Sequence, residues 1–132
     1  MPEKDASALK GKTGPRRLFN AFRYTCDGLA AAWRKEEAFR QESIIAAILA
    51  VTSIFLPASV EMRLLCLFSL AFVIVTELLN TGIEAAVDRI GSEIHPLSKV
   101  AKDMGSAAVF VSLALAAIVW AAAAWCAVTG GP

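Results

Sequence analysis

Apolar positions along this chain change their rhythm three times, and each change marks an element. Leu18, Phe19, Phe22, Cys26, Leu29, Ala30 and Trp33 recur at helical spacing, while Arg16, Arg17, Arg23, Asp27, Arg34 and Lys35 fill the positions between them. This pattern predicts an amphipathic helix over 15–37, opened by Pro15 in the first helical position. A basic helix with aromatics on its apolar side suits the plane of a membrane interface. Residues 1–14 carry no such rhythm and read as a disordered tail. After Glu42 the alternation stops and an apolar run continues to Leu56, where Pro57 ends it. The run is shorter than the roughly 20 residues a membrane crossing requires, so the first span is drawn back to 38–56. The turn at 57–63 is short, and a second apolar helix is expected over 62–90. A polar connection leads to a third span at 100–128, rich in Ala and Val and uncharged from Met104 onward. The expected fold is an all-α membrane protein of one domain, with a surface helix followed by three transmembrane helices.

Composition agrees and adds an orientation. Of the 132 residues, 57% are hydrophobic and the mean hydropathy is +0.58, above the range of soluble domains. Net charge is only +1, which gives a nucleic-acid partner no global electrostatic support. The basic residues are unevenly placed. Nine of the 13 precede residue 43, Arg89, Lys99 and Lys102 flank the second connection, and only Arg63 lies near the first turn. The positive-inside rule then sets the N-terminus and the second connection in the cytoplasm, and the C-terminus outside. Cys26, Cys66 and Cys126 are far apart and fit neither a zinc site nor a disulfide framework; they read as small buried hydrophobes. No compact apolar segment ending in small residues occurs near the start, so a cleaved signal peptide is not expected.

The chemistry is concentrated in ELLNTGIEAAVDRIGSE (77–93). At about 100° per residue, Asn80 lies about 300° from Glu77, Glu84 about 340° and Asp88 about 20°. Three acids and an amide therefore share one stripe of an otherwise apolar helix. Ionisable groups on a membrane helix face a bundle interior or an aqueous site. Clustered carboxylates suit a divalent cation, and an oxygen-only set favours Mg²⁺ with bound phosphate. Glu36, Glu37, Arg40 and Glu42 gather where the surface helix meets the first span, and Lys102 and Asp103 stand at the cytoplasmic start of the third. Lys102 reads equally as a phosphate ligand or as a lysine reaching for the headgroups. His95, the single histidine, reads alone as a solvated loop residue. P-loop, dinucleotide-fold, protein-kinase, serine-hydrolase and zinc-protease patterns are all missing.

Three segments, AAWRKEEAFRQE (31–42), ELLNTGIEAAVDRIGSE (77–93) and AKDMGSAAV (101–109), resemble the bacterial integral-membrane diacylglycerol kinase family, and the likeness extends over 16–128. The resemblance implies a homotrimer in the bacterial cytoplasmic membrane that phosphorylates diacylglycerol to phosphatidic acid with MgATP. Glu77 resembles the family's catalytic base, and Glu36 and Glu84 the acids holding the metal on the ATP phosphates. Glu93, His95, Lys102 and Asp103 match nucleotide contacts, joined by Arg17 and Tyr24 on the surface helix. Ala38, Phe39, Arg40, Gln41, Glu42 and Ser106, with Arg17 and Glu77, match the lipid-side lining. Asn80 and Asp88 match supporting polar residues. The chain departs from the family's usual residues at Cys26, Lys35 and Pro96.

Reaction chemistry is consistent with that implication. A primary hydroxyl is too weak an acid to ionise at neutral pH, so a positioned carboxylate assists its deprotonation. Phosphoryl transfer otherwise needs positioning and charge neutralisation. A single subunit with three spans cannot enclose such a site, which favours self-association. Within the family, the alternative acceptor is a polyprenol such as undecaprenol, though Met104-Gly105-Ser106 favours the diacylglycerol branch. Outside it, the alternatives are an acid-lined cation channel and a non-catalytic assembly protein. A channel would distribute its acids along a pore, whereas these gather at one end.

Overall fold

The computed structural model describes residues 14–91, 93 and 95–130, all helix or helix connection. The expected tail at 1–14 falls, except for Gly14, outside the described residues. Four helices follow one another: α1 (Pro15–Lys35), α2 (Glu37–Phe55), α3 (Val60–Ile90) and α4 (Pro96–Thr129). The chain forms two compact units, divided between Lys35 and Glu36. The physical cause is local. Glu36 adopts extended backbone (φ −107°, ψ 117°), so the helical hydrogen-bond ladder stops two residues before the expected boundary at 37.

In the first unit, α1 starts from Gly14, whose φ of 81° favours a residue without Cβ; its carbonyl accepts from the Arg17 N–H at 2.9 Å. Leu18, Phe19, Phe22 and Trp33 are all exposed.

In the second unit the helix ends are set by caps. Ser59 Oγ accepts from the Met62 N–H at 3.2 Å and starts α3 at Val60, two residues earlier than expected. Arg63 Nη2 donates to the Leu56 carbonyl at 2.9 Å, answering one of the carbonyls left open at the end of α2. His95 Nδ1 accepts from the Leu97 N–H at 3.2 Å, with Pro96 as first helical residue, so α4 begins four residues before the expected 100. Gly130, at φ 68°, ends it in the left-handed conformation that glycine adopts without penalty.

Helix lengths locate the chemistry. The three helices α2, α3 and α4 are each long and apolar enough to cross a membrane. At 1.5 Å per residue α2 is roughly 28 Å long, close to the hydrocarbon thickness, whereas α3 and α4 are roughly 46 and 51 Å. The excess of α3 and α4 is the acid-bearing, connected end.

Helix α3 is central and packs along α4, and more lightly on α2. Its buried residues, Cys66, Ser69, Leu70, Val73, Thr76, Glu77 and Asn80, follow the three–four spacing of one helical face. The buried positions of α4 are all small: Gly105, Ser112, Ala116 and Ala123. Small residues let backbones approach where lipid offers no hydrophobic drive for association. Thr76 Oγ1 and Ser112 Oγ meet across this seam at 2.8 Å. Large apolar side chains such as Phe55, Phe68, Phe110 and Ile118 point outward. Such a surface fits contact with lipid or with other membrane helices.

Candidate active site

Glu77 sits at the centre. Its position on the inner face of α3 leaves it only 4% exposed, between the buried Thr76 and Asn80. Burying a carboxylate is expensive. The charges that act on Glu77 are acidic: Glu84, two turns along α3, and Glu36, at the start of α2. Glu42, one turn into α2, is within electrostatic reach of Glu77 as well. Four carboxylates from two helices therefore share one region. Asn80, one turn from both neighbours on the stripe, donates from Nδ2 to Glu84 Oε1 at 3.3 Å.

Beyond Glu84 the α3–α4 connection encloses a cleft of about 320 Å³. Asp88, Glu93, His95, Lys102 and Asp103 line it, which brings the nucleotide-side residues expected from this unit into one place. Lys102 Nζ forms an ion pair with Asp88 at 2.6 Å, joining α4 to α3, and also feels the charge of Glu84. Both partners are well exposed, so the pair contributes little to stability. Lys99 pairs with Asp103 one turn along α4. His95 is exposed at the mouth, held by its own capping bond.

On the apolar side of Glu77 a groove of about 160 Å³ runs between α2, α3 and α4. Val73 and Leu70 form its floor on α3, Ile45 and Leu49 one wall, and Leu113 and Ala117 the other. Two polar groups reach into it, Glu42 from α2 and Trp120 from α4. Glu42 Oε2 and Trp120 Nε1 are each buried without a hydrogen-bond partner among the described residues. A buried donor and a buried acceptor left open are costly, and both belong to residues that line this groove. Sequence reasoning missed Trp120. Its only signal was an indole within an Ala-rich helix, away from the end where an interfacial anchor belongs.

The remaining expected residues are placed as follows. Phe39 is buried at the start of α2, Arg40 is half-buried, and Ala38 and Gln41 are exposed, Gln41 donating to Glu37 at 3.1 Å. Ser106 is exposed on α4. Arg17 and Tyr24 are exposed on α1, which forms its own unit, with Arg23 stacked 5.9 Å from the Tyr24 ring centre.

Among the described residues no three His, Cys, Asp or Glu converge as a cage of protein ligands alone. Glu36 and Glu84 each act electrostatically on Glu77, and carboxylates are the donor type that Mg²⁺ takes, one or two at a time, together with waters and substrate phosphates.

Comparison with known proteins gives the arrangement a context. Residues 23–124 match the family model described as prokaryotic diacylglycerol kinase. A protein of Escherichia coli (strain K12) named diacylglycerol kinase is 45% identical over 113 residues, covering 86% of this chain and 93% of that protein. A protein of the same name from Pseudomonas aeruginosa is 45% identical over 115 residues, 87% and 94% of the two chains. One from Helicobacter pylori (strain 26695), also so named, is 45% identical over 108 residues, covering 81% and 84%.

Proposed function

The chain belongs to the prokaryotic diacylglycerol kinase family, and from that premise we propose how its residues divide the work of phosphorylating diacylglycerol. The protein is a membrane diacylglycerol kinase: it transfers the γ-phosphoryl group of ATP to the free hydroxyl of diacylglycerol, giving phosphatidic acid and ADP. The buried, acid-surrounded Glu77 is the observation that carries the assignment of roles.

Glu77 is the general base. It lies one helical turn beyond Val73, which lines the groove, and within electrostatic reach of Glu42, which lines it too, so a glycerol hydroxyl held at that end of the groove reaches a carboxylate that takes its proton. The hydroxyl oxygen then forms a bond to the γ-phosphorus while the bond to the ADP oxygen breaks. Glu36 and Glu84 hold Mg²⁺, which when bound neutralises phosphate charge during transfer. The cleft beyond Glu84 takes the nucleotide, with Lys102 leaving Asp88 for a phosphate oxygen and Glu93, His95 and Asp103 orienting the rest. Arg17 and Tyr24 are assigned to the nucleotide by the family resemblance alone. Acyl chains lie along Val73, Leu70 and Leu113, Glu42 and Trp120 meet the glycerol and ester oxygens, and Ala38, Phe39, Arg40, Gln41 and Ser106 line the approach.

The enzyme works as a homotrimer in the bacterial inner membrane. Helix α1 rests in the cytoplasmic interface on its apolar side chains, with the N-terminus cytoplasmic and the C-terminus outside. Lipid then arrives from the bilayer and ATP from the cytoplasm, meeting where α3 leaves the hydrocarbon.

The test uses purified protein in mixed micelles with labelled ATP, offering diacylglycerol, monoacylglycerol and a polyprenol. Diacylglycerol is the expected acceptor. Glu77→Gln retains shape but not basicity, and is expected to lose at least about a hundredfold in turnover without loss of assembly. Normal turnover in that variant removes Glu77 from the role of base.

A further inference from the structure

Gly105 on α4 lies directly over the side chain of Asn80 on α3. A Cβ placed at Gly105 would collide with Asn80 Oδ1 and stand 3.3 Å from its Cγ and 3.6 Å from its Cα. Gly105 is buried, and its helical backbone needs no left-handed freedom, so conformation alone gives no reason for glycine here. The reason is space, and what fills the space is the amide of a residue inside the acid cluster.

The amide's orientation follows from chemistry. Glu84 offers only acceptors, so the end of Asn80 facing it must be Nδ2, and the end facing α4 must be Oδ1. Asn80 is 9% exposed, and its Oδ1 has no hydrogen-bond partner among the described residues. Nothing polar holds that end of the amide. It rests against the α4 backbone at Gly105, and in this rotamer Nδ2 is aimed at Glu84.

We propose that Gly105 is a positioning residue for phosphoryl transfer: by lacking a side chain it seats Asn80 against α4, and Asn80 in turn fixes the Glu84 carboxylate. An added methyl turns Asn80 to another rotamer, and Glu84 loses the hydrogen bond that keeps it oriented toward the metal. Because two carboxylates leave most of the metal's coordination to water and phosphate, the orientation of each counts heavily. This inference rests on the assignment of Glu84 to Mg²⁺, and the experiment separates the two.

The experiment measures Mn²⁺ binding in the presence of a non-hydrolysable ATP analogue by loss of the free-ion electron paramagnetic resonance signal. It compares intact protein in micelles with Glu84→Gln, Asn80→Ala, Gly105→Ala and the double variant Gly105→Ala/Asn80→Ala. Thermal unfolding and the KM for diacylglycerol are followed in parallel. Glu84→Gln is expected to weaken Mn²⁺ most. Asn80→Ala, Gly105→Ala and the double variant are each expected to weaken it by about tenfold, the value of one hydrogen bond to a charged group, with no additivity. The KM for diacylglycerol stays unchanged. If Glu84→Gln binds Mn²⁺ normally, the metal assignment falls and this inference with it. If Glu84→Gln weakens Mn²⁺ while folded Gly105→Ala does not, only this inference falls. Should Gly105→Ala fail to fold, the double variant, whose shortened side chain at 80 clears the added methyl, is expected to fold and bind Mn²⁺ as Asn80→Ala does. A double variant that also fails to fold places Gly105 in packing alone and overturns the proposal.

Discussion

Glu77 and Trp120 are polar side chains whose surroundings set what they can do. In water a carboxylate is well solvated and a weak base toward an alcohol. Against Thr76 and Asn80, with three further acids near, Glu77 has lost much of its solvation. Trp120 lines an otherwise apolar groove, and its indole N–H is buried with no hydrogen-bond partner among the described residues. Trp120→Phe keeps the apolar body and deletes the donor. The KM for diacylglycerol should rise about fivefold, the value of one neutral hydrogen bond, with the KM for MgATP unmoved. A change in the nucleotide parameter instead would detach Trp120 from the lipid.

The start of α4 carries a second kind of information. His95 is both the residue expected to touch nucleotide and the cap of its helix, and Pro96 behind it supplies no N–H, so the first donor to satisfy is that of Leu97. Capping and contact can be separated. His95→Asn preserves an acceptor for Leu97, whereas His95→Ala removes it at a cost of about 1 kcal/mol. Amide hydrogen exchange over 97–100 should accelerate in the alanine variant alone. The KM for ATP should rise in both; a rise in the alanine variant only would limit His95 to capping. The seam between α3 and α4 follows a different rule, with Gly105, Ser112 and Ala116 on one side and Thr76 bonded across it.

The assembled protein must cover what one chain leaves open. Phe55, Phe68, Phe110 and Ile118 face outward, as lipid-facing or interface residues do, but the acid cluster and its cleft remain accessible at the connected end. Three copies around the acid-bearing ends would enclose the sites. Mass measurement of the detergent-solubilised protein, corrected for bound detergent, should give three chains. A monomer with full turnover would show that each chain completes its own site.

Much of this was readable without coordinates because it depends on short-range periodicity. Glu77, Asn80, Glu84 and Asp88 fall on one stripe through the pitch of the α-helix alone, and three apolar helices follow from run lengths measured against bilayer thickness. Helix ends shifted by a few residues because caps such as Ser59 and His95, and the extended Glu36, depend on backbone geometry that composition does not specify. What only the folded chain decided are the meetings between distant segments. These include Glu42 with Trp120 across a groove, Lys102 with Asp88, and the amide of Asn80 against the bare backbone of Gly105. Helical pitch fixes which face of a helix a residue occupies. The neighbour on that face is chosen by how closely two helices can approach, and that distance is set by the smallest side chains between them.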